Sequence, residues 1–376
     1  MRYKLTSICD FQGGSQPPKA EWSFENEEGY IRMLQIRDFT QSERVIPEFI
    51  KITATTKTCE DDDILIARYG ASIGKILTGL SGAYNVAIMK TIPDTTKISK
   101  KYLYYFLKSP YFQNSILNVG SRAAQAGFNK EDLAKLEINC PDIVEQNDII
   151  CILEKVEKII ANRKQQLDDL DNLIKSRFVE MFGKEIDNTA EELRNLCAKI
   201  TDGTHQSPQF VQEGIPFIFI SNIQNNKINY DTEKYISQKT YDELTRSTAI
   251  ELGDVLLTIV GSYGNPAVVD NDKKFCFQRH IAQLKPKHDL VNSYYLHTAL
   301  RIPYVREQID RRVKGIAQKT LNLSELCKVK INVPELSRQN EFVTFIQRTD
   351  KLKVEVKKSL DETQLLFDSL MQRYFE

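Results

Sequence analysis

The 376-residue chain repeats itself, and that repeat limits its fold more than any other feature does. Pairing each residue with the one 193 positions later gives 14 identities over the 40 positions from Tyr102 to Pro141. Composition alone would give about two or three. Tyr102-Leu103, Pro110-Tyr111, Ala124-Gln125, Asn129, Leu133 and Pro141 recur as Tyr295-Leu296, Pro303-Tyr304, Ala317-Gln318, Asn322, Leu326 and Pro334, and Gln146-Asn147 recurs as Gln339-Asn340. Upstream the register drifts, yet Cys9, Asp63-Ile64-Leu65 and Gly70 still match Cys197, Asp254-Val255-Leu256 and Gly261. Such a period far exceeds the roughly 20 to 50 residues of solenoid repeats. Two domain-sized units in tandem follow, each with a variable front and a uniform back.

The backs read as long helices. Ile149, Leu153, Val156, Ile160, Leu167, Leu170 and Ile174 follow alternating steps of four and three, interrupted by Arg163, and no Gly or Pro falls between 142 and 182. The second copy repeats the seam more weakly, with Phe342, Ile346, Val356, Leu360, Phe367 and Leu370 around Thr349, Lys353 and Thr363. A helix of this length with one apolar stripe needs a partner, and the other copy is the nearest one. The expectation is an antiparallel coiled-coil pair at 142–183 and 335–376. The fronts at 1–141 and 184–334 are expected to be α+β, with strand-like runs at 64–67 and 83–91 and a helix-like run at 101–117, matched at 255–260, 276–285 and 293–311. The predicted fold class is two similar α+β globular domains separated by two long antiparallel helices, a pseudo-twofold tandem repeat.

Lys plus Arg and Asp plus Glu cancel at 51 each, which argues against a protein that holds nucleic acid by bulk charge. The fronts carry 18 basic against 16 acidic residues and 20 against 18, whereas both helical backs are acidic. Any polyanion should therefore meet the fronts, through groups such as Arg301, Arg306, Arg311-Arg312, Lys314 and Lys319. The seven cysteines form no CxxC pair and read as small buried apolar residues. No apolar run approaches a membrane span, and no secretory leader is recognisable, so a cytoplasmic location without membrane contact is expected.

Enzyme motifs fail on inspection. Gly70-Ala71-Ser72-Ile73-Gly74 followed by Lys75 has too few residues between glycines for a phosphate loop, and the first unit holds no histidine to serve a Ser72 nucleophile. His205, His280, His288 and His297 lack metal-binding spacing, so no metal is expected. Gly264-Asn265-Pro266-Ala267 lacks the second proline and the aromatic of a base-methylation site. No catalytic residue is assigned.

Recognition remains. Gly-flanked turns carrying amides, hydroxyls and cations fall at corresponding places of both fronts: Gly13-Gly14-Ser15-Gln16 with Asp202-Gly203-Thr204-His205, Arg68-Tyr69-Gly70-Ala71-Ser72 with Gly261-Ser262-Tyr263-Gly264-Asn265, and 121–125 with 314–318. Arg, Lys, Asn and Gln form paired hydrogen bonds to guanine and adenine edges. A coiled-coil adaptor whose fronts bind protein loops is the alternative reading.

Asp202-Gly203-Thr204-His205 with Ser207-Pro208 and Gly214-Ile215-Pro216-Phe217-Ile218, the Gly-x-x-Gly turn, Ala-Gln before Asn-x-x-x-Leu, and Gln-Asn leading into the long helix together resemble the specificity (S) subunit of type I restriction-modification systems. The resemblance covers nearly the whole chain. Unit one departs from it, with Gly13-Gly14-Ser15-Gln16-Pro17 in place of the Asp-Gly-Thr-His run. It implies two target recognition domains, each reading half of a split double-stranded DNA sequence. The helices would act as a ruler and as a docking site for two methyltransferase (M) subunits, joined for restriction by nuclease (R) subunits. S-adenosylmethionine and ATP with Mg would then sit on those partners, with no cofactor in this chain. Candidate DNA contacts are Ser15, Gln16, Arg37, Arg68, Tyr69, Ser72, Lys75, Arg122 and Gln125 in the first front. In the second they are Thr204, His205, Asn222, Ser262, Tyr263, Asn265, Lys314, Gln318 and Lys319.

Overall fold

A computed structural model describes residues 1–41, 44–120, 127–246, 249–315 and 318–376. The chain divides into two compact units, one of residues 1–164 with 358–376 and one of residues 165–357. Each unit thus takes one front and half of each long helix. The sequence suggests four consecutive segments instead, and the difference has a packing cause: the helix halves contribute side chains to the cores of the fronts.

In the first unit an antiparallel sheet runs in the order Cys9–Gly13, Ile88–Pro93, Leu65–Ala67, Ile76–Leu77. Leu65, Ile66 and Ala67 are all buried, because both faces are covered. Ile66 points into the main core with Tyr102, Phe106 and Phe112, while Leu65 and Ala67 meet Leu34, Tyr84 and Ile88 on the other side. That second layer is a five-stranded mixed sheet in the order Trp22–Ser23, Phe49–Lys51, Tyr30–Leu34, Gly82–Tyr84, Thr58–Cys59. The single strand-like run at 83–91 is therefore two strands in different sheets. Asn85 makes the break, accepting the Ala87 N–H on its side chain and the Ile88 N–H on its carbonyl.

The second unit repeats the plan with the order Cys197–Asp202, Ile281–Pro286, Val255–Thr258, Pro266–Val268. Val255 and Leu257 face the main core, and Leu256 faces Ile218, Phe275 and Phe277. Part of the drift in register has a local cause. Cys9 faces Pro93 as Cys197 faces Pro286, so the two strand pairs start alike, but a bulge between Cys197 and Lys199 then lengthens the second copy.

Each expected helix-like run in the fronts is two helices. Lys100–Lys108 and Pro110–Gly120 are split at Pro110, and Ser293–Ala299 and Pro303–Arg312 at Pro303. A proline lacks the N–H that would continue a helix, yet suits the first turn of a new one. Tyr102 Oη donates to the Asn139 carbonyl at 2.9 Å and Tyr295 Oη to the Asn332 carbonyl at 2.7 Å, the same bond in both copies.

The long helices span Ile143–Phe182 and Leu336–Phe375. They pair antiparallel within each unit. In the second unit Asp171 meets Lys353 at 2.8 Å, Arg177 meets Glu341 at 3.5 Å, and the Met181 carbonyl accepts from Arg338 at 2.8 Å. In the first unit Ile149, Ile150 and Leu153 share a core with Met371 and Phe375. Of the seam residues, Ile149, Leu153, Val156, Ile160, Ile174, Phe342, Ile346 and Leu360 are buried, and Leu167, Leu170, Val356, Phe367 and Leu370 are half-buried. Lys353 is tolerated in the seam because Asp171 and Asp350 accept its charge. The cysteines are thiols, buried at 9, 59, 140, 197 and 276, half-buried at 327, and exposed at 151 against expectation, since Cys151 falls on the outer face of its helix. No described helix is long and apolar enough to cross a membrane.

Candidate nucleic-acid interface

Four chain segments meet at one end of the four-stranded sheet in each unit, because that end holds the last residues of two strands and the first residues of the two others. In the first unit, Gly14 donates to the Ile88 carbonyl at 3.1 Å, Ser15 to the Tyr84 carbonyl at 3.1 Å, and Arg68 N–H to the Ala87 carbonyl at 2.8 Å. Tyr69 bridges to Gly127. The Arg68 guanidinium ties these loops together, donating to the carbonyls of Phe128 at 3.3 Å and Val86 at 3.5 Å beside the Tyr69 ring. Gln16, Tyr69 and Lys75 are exposed, with Ser15, Arg68 and Ser72 half-buried next to them.

The second unit builds the same frame with other side chains. Thr204 donates to the Phe277 carbonyl at 3.1 Å, Ile259 to the His280 carbonyl at 2.9 Å, and Val260 bridges to Thr320. Ser262, Tyr263 and Asn265 form a turn closed by Thr258 Oγ1, which donates to the Ser262 carbonyl at 2.6 Å and accepts from the Asn265 N–H at 3.0 Å. Lys314, Gln318 and Lys319 are exposed on the neighbouring hairpin, where Lys314 pairs with Thr320. His205 is exposed and lies 3.1 Å from the Asp202 carboxylate, and Thr204 Oγ1 donates to the Gln206 carbonyl at 2.8 Å. A cavity of about 210 Å³ opens among Asp202, Gly203, Thr204, His205, Thr245 and Phe277.

Two assigned contacts do not join these clusters. Asn222 is buried: its side-chain carbonyl accepts from the Phe219 N–H at 3.0 Å and its amide donates to the Asp231 carbonyl at 2.9 Å, so neither end is left for a base. Arg37 is exposed and pairs with the buried Glu48 carboxylate, which also takes Lys19 at 2.6 Å and Gln35 at 2.7 Å. Burial alone would raise the Glu48 carboxyl, but those donors hold it below its ordinary range. Arg122 and Gln125 lie outside the described residues.

Of the two residues that set the glycine turns, sequence reasoning named Arg306 only as a cation and missed Gln113. Gln113 donates to the Gly74 carbonyl at 2.9 Å, and Arg306, its counterpart in the repeat, donates to the Gly264 carbonyl at 2.9 Å. The two differ in identity, so the repeat carried no signal there. Gly14 and Gly203 are equivalent in a different way. A Cβ on Gly203 would overlap the Phe277 carbonyl oxygen and stand 2.6 Å from that of Gln278, while one on Gly14 would overlap the matching carbonyls of Tyr84 and Asn85. Gly203→Ala is expected to push the 203–206 turn away from 277–278. The expected cost is about 1 to 3 kcal/mol in denaturant unfolding, with the second long-helix core left intact by near-ultraviolet circular dichroism.

Hydroxyls, amides, guanidinium and ammonium groups on a shared backbone frame can address base edges and phosphates together. Among the described residues no three His, Cys, Asp or Glu side chains gather as a metal ion would need. Twin α+β heads that share a frame and differ in the side chains displayed on it define a modular recognition protein.

Comparison with known proteins narrows that class. A family model described as the type I restriction modification DNA specificity domain matches residues 1–172 and again 192–363. The chain is 26% identical to the type I restriction enzyme EcoBI specificity subunit of Escherichia coli over 227 residues, which are 59% of this chain and 46% of that protein. It is 21% identical to the MjaVIII specificity subunit of Methanocaldococcus jannaschii over 360 residues, 90% of this chain and 83% of the relative. Thus it spans under half the length of the first relative and most of the second. Its fold resembles a chain from a solved structure concerned with assembly and conformational transition of the type I R-M system, with a TM-score of 0.63 at 17% identity, covering 100% of this chain and 97% of that one. It also resembles the type I S subunit from M. genitalium, with a TM-score of 0.52 at 16% identity, covering 100% and 96%. The chain belongs to the type I restriction-modification DNA specificity family, of which it carries two domains in tandem.

Proposed function

We propose that each head reads one half of a bipartite double-stranded DNA sequence, and that the chain works as the specificity subunit of a type I restriction-modification complex. One observation supports this most: the two sheet ends share a backbone frame, fixed by Gly14 and Gly203 and by Gln113 and Arg306, yet display different side chains. A common frame with two displays suits two different half-sites. The long helices would dock two methyltransferase subunits and set the number of base pairs between half-sites. Those partners would supply S-adenosylmethionine and the base methylation, and restriction subunits would bring ATP and Mg. This chain would contribute no catalytic group and would act in the cytoplasm.

Near-zero net charge fits the role, since a subunit with little bulk charge does not hold random DNA before its partners arrive. The test is fluorescence anisotropy of the chain assembled with its methyltransferase subunits. A duplex carrying the methylated site mapped in the host genome is expected to bind roughly a thousandfold or more tighter than a scrambled duplex at physiological salt. Equal affinity for the two would overturn the proposal.

A further inference from the structure

We infer that the two heads grip DNA unequally, the second making phosphate contacts through Arg306 and Lys319 that the first lacks at its counterparts Gln113 and Ala126. The inference rests on the reading of both heads as DNA readers.

It comes from comparing equivalent positions. The glycine turn of the first head is anchored by a neutral amide, Gln113, and that of the second by a cation, Arg306. In the second head the Tyr263 ring lies 4.7 Å from the Arg306 guanidinium and 5.9 Å from the Lys319 ammonium. Lys319 is exposed and Arg306 partly so, its Nε shared with Asp310 at 3.1 Å. Position 126, the first-head counterpart of Lys319, is an alanine. In the helix that carries the anchor, Pro303–Arg312 holds Arg306, Arg311 and Arg312 against Glu307 and Asp310, whereas Pro110–Gly120 holds no charged residue.

An aromatic ring beside two cations also has a physical consequence. The ring face shields part of each cation from water without neutralising it, which keeps both charges near the turn and available to an anion. Phosphate oxygens alternate with base edges along a groove, so a cationic turn would fix the register of its half-site while amides and hydroxyls read the bases.

The test uses the full chain assembled with its methyltransferase subunits, and the mapped target duplex as probe. Arg306→Gln installs the side chain that performs the anchoring in the first head, which removes the charge and keeps an amide donor beside the Gly264 carbonyl. Affinity is measured between about 50 and 200 mM salt. Each phosphate contact contributes about 0.9 to the slope of log affinity against log salt. Arg306→Gln with Lys319→Ala is expected to make that slope shallower by about 1.8, so that the affinity lost across this salt range is about twelvefold smaller than in the parent. Lys319→Ala alone, at an exposed side chain that leaves the fold intact, is expected to give about half that change. An unchanged slope in both Lys319→Ala and the double variant, with sequence-specific binding retained, would overturn the unequal grip and leave the DNA reading standing. Absence of any sequence preference in the parent complex would overturn the DNA reading and this inference with it.

Discussion

Phe178→Ala is expected to destabilise the second unit by about 3 to 5 kcal/mol, the range for removing a fully buried phenylalanine. Phe178 is completely buried where the two long helices meet the second head. Its ring stacks on Tyr295 at 5.3 Å, crosses Phe342 of the other long helix at 5.4 Å and Phe182 at 5.0 Å. Truncation leaves a cavity lined by three aromatic rings held by other contacts, so little collapse can fill it. The repeat sharpens the comparison. The counterparts of Phe178 and Phe182 in the second copy are Met371 and Phe375, and these enter the core of the first head, where Phe375 packs on Tyr102 at 5.1 Å. The end of each copy's helix is thus buried in the head of the other copy. Met371→Ala, which removes a thinner side chain without a ring stack, is expected to cost less than Phe178→Ala. Guanidinium unfolding followed by circular dichroism measures both; a Phe178→Ala loss below about 1 kcal/mol would contradict the packing described.

Gln339→Leu is the second large effect, expected at about 3 kcal/mol or more. The Gln339 side chain is wholly buried, accepts the Asn292 N–H at 2.9 Å, and donates to the carbonyls of Leu290 at 3.0 Å and Pro334 at 2.7 Å. Gln146 does the same in the first unit with Ser99, Lys97 and Pro141, each the counterpart of a Gln339 partner under the same repeat. Leucine fills the space but takes the partner from one N–H and two carbonyls in part-buried positions, and each orphaned group costs about 1 kcal/mol or more. Gln339→Glu is expected to be costly as well, since a carboxylate can accept but not donate to the two carbonyls. A shift of the guanidinium midpoint with an unchanged slope is the expected signature. A loss below about 1 kcal/mol for Gln339→Leu would show the amide to be dispensable.

These two positions illustrate what can be read from the sequence. Gln146 and Gln339 stand out by recurrence, and recurrence points to a shared task. That the task is to fasten a loop onto the start of the long helix emerges only from the fold, since the partners are backbone atoms remote in the chain. The long helices are legible because an apolar seam of period 3.5, sustained through so long a stretch without Gly or Pro, suits a coiled coil and little else. The sheet of Tyr30–Leu34 and Phe49–Lys51 is not, for short strands with half-buried residues lack a clear alternation. Among the candidate contacts, glycine-flanked turns such as Arg68–Ser72 and Ser262–Asn265 do lie at the sheet ends where loops converge. Asn222 misleads, because a polar residue in a variable segment looks alike whether it faces solvent or satisfies a buried group. The anchoring role of Gln113 and Arg306 escapes notice because it is to donate to a carbonyl, which two unrelated side chains can do.

Single-molecule sequencing of DNA methylation in cells expressing the chain with its methyltransferase subunits tests the twin-reader reading most directly. The expected result is one split motif, two short defined half-sites flanking a stretch of unspecified bases of fixed length, with changes at Gln318 altering the bases of one half alone. A single unbroken motif, or methylation that persists unchanged without this chain, would contradict it.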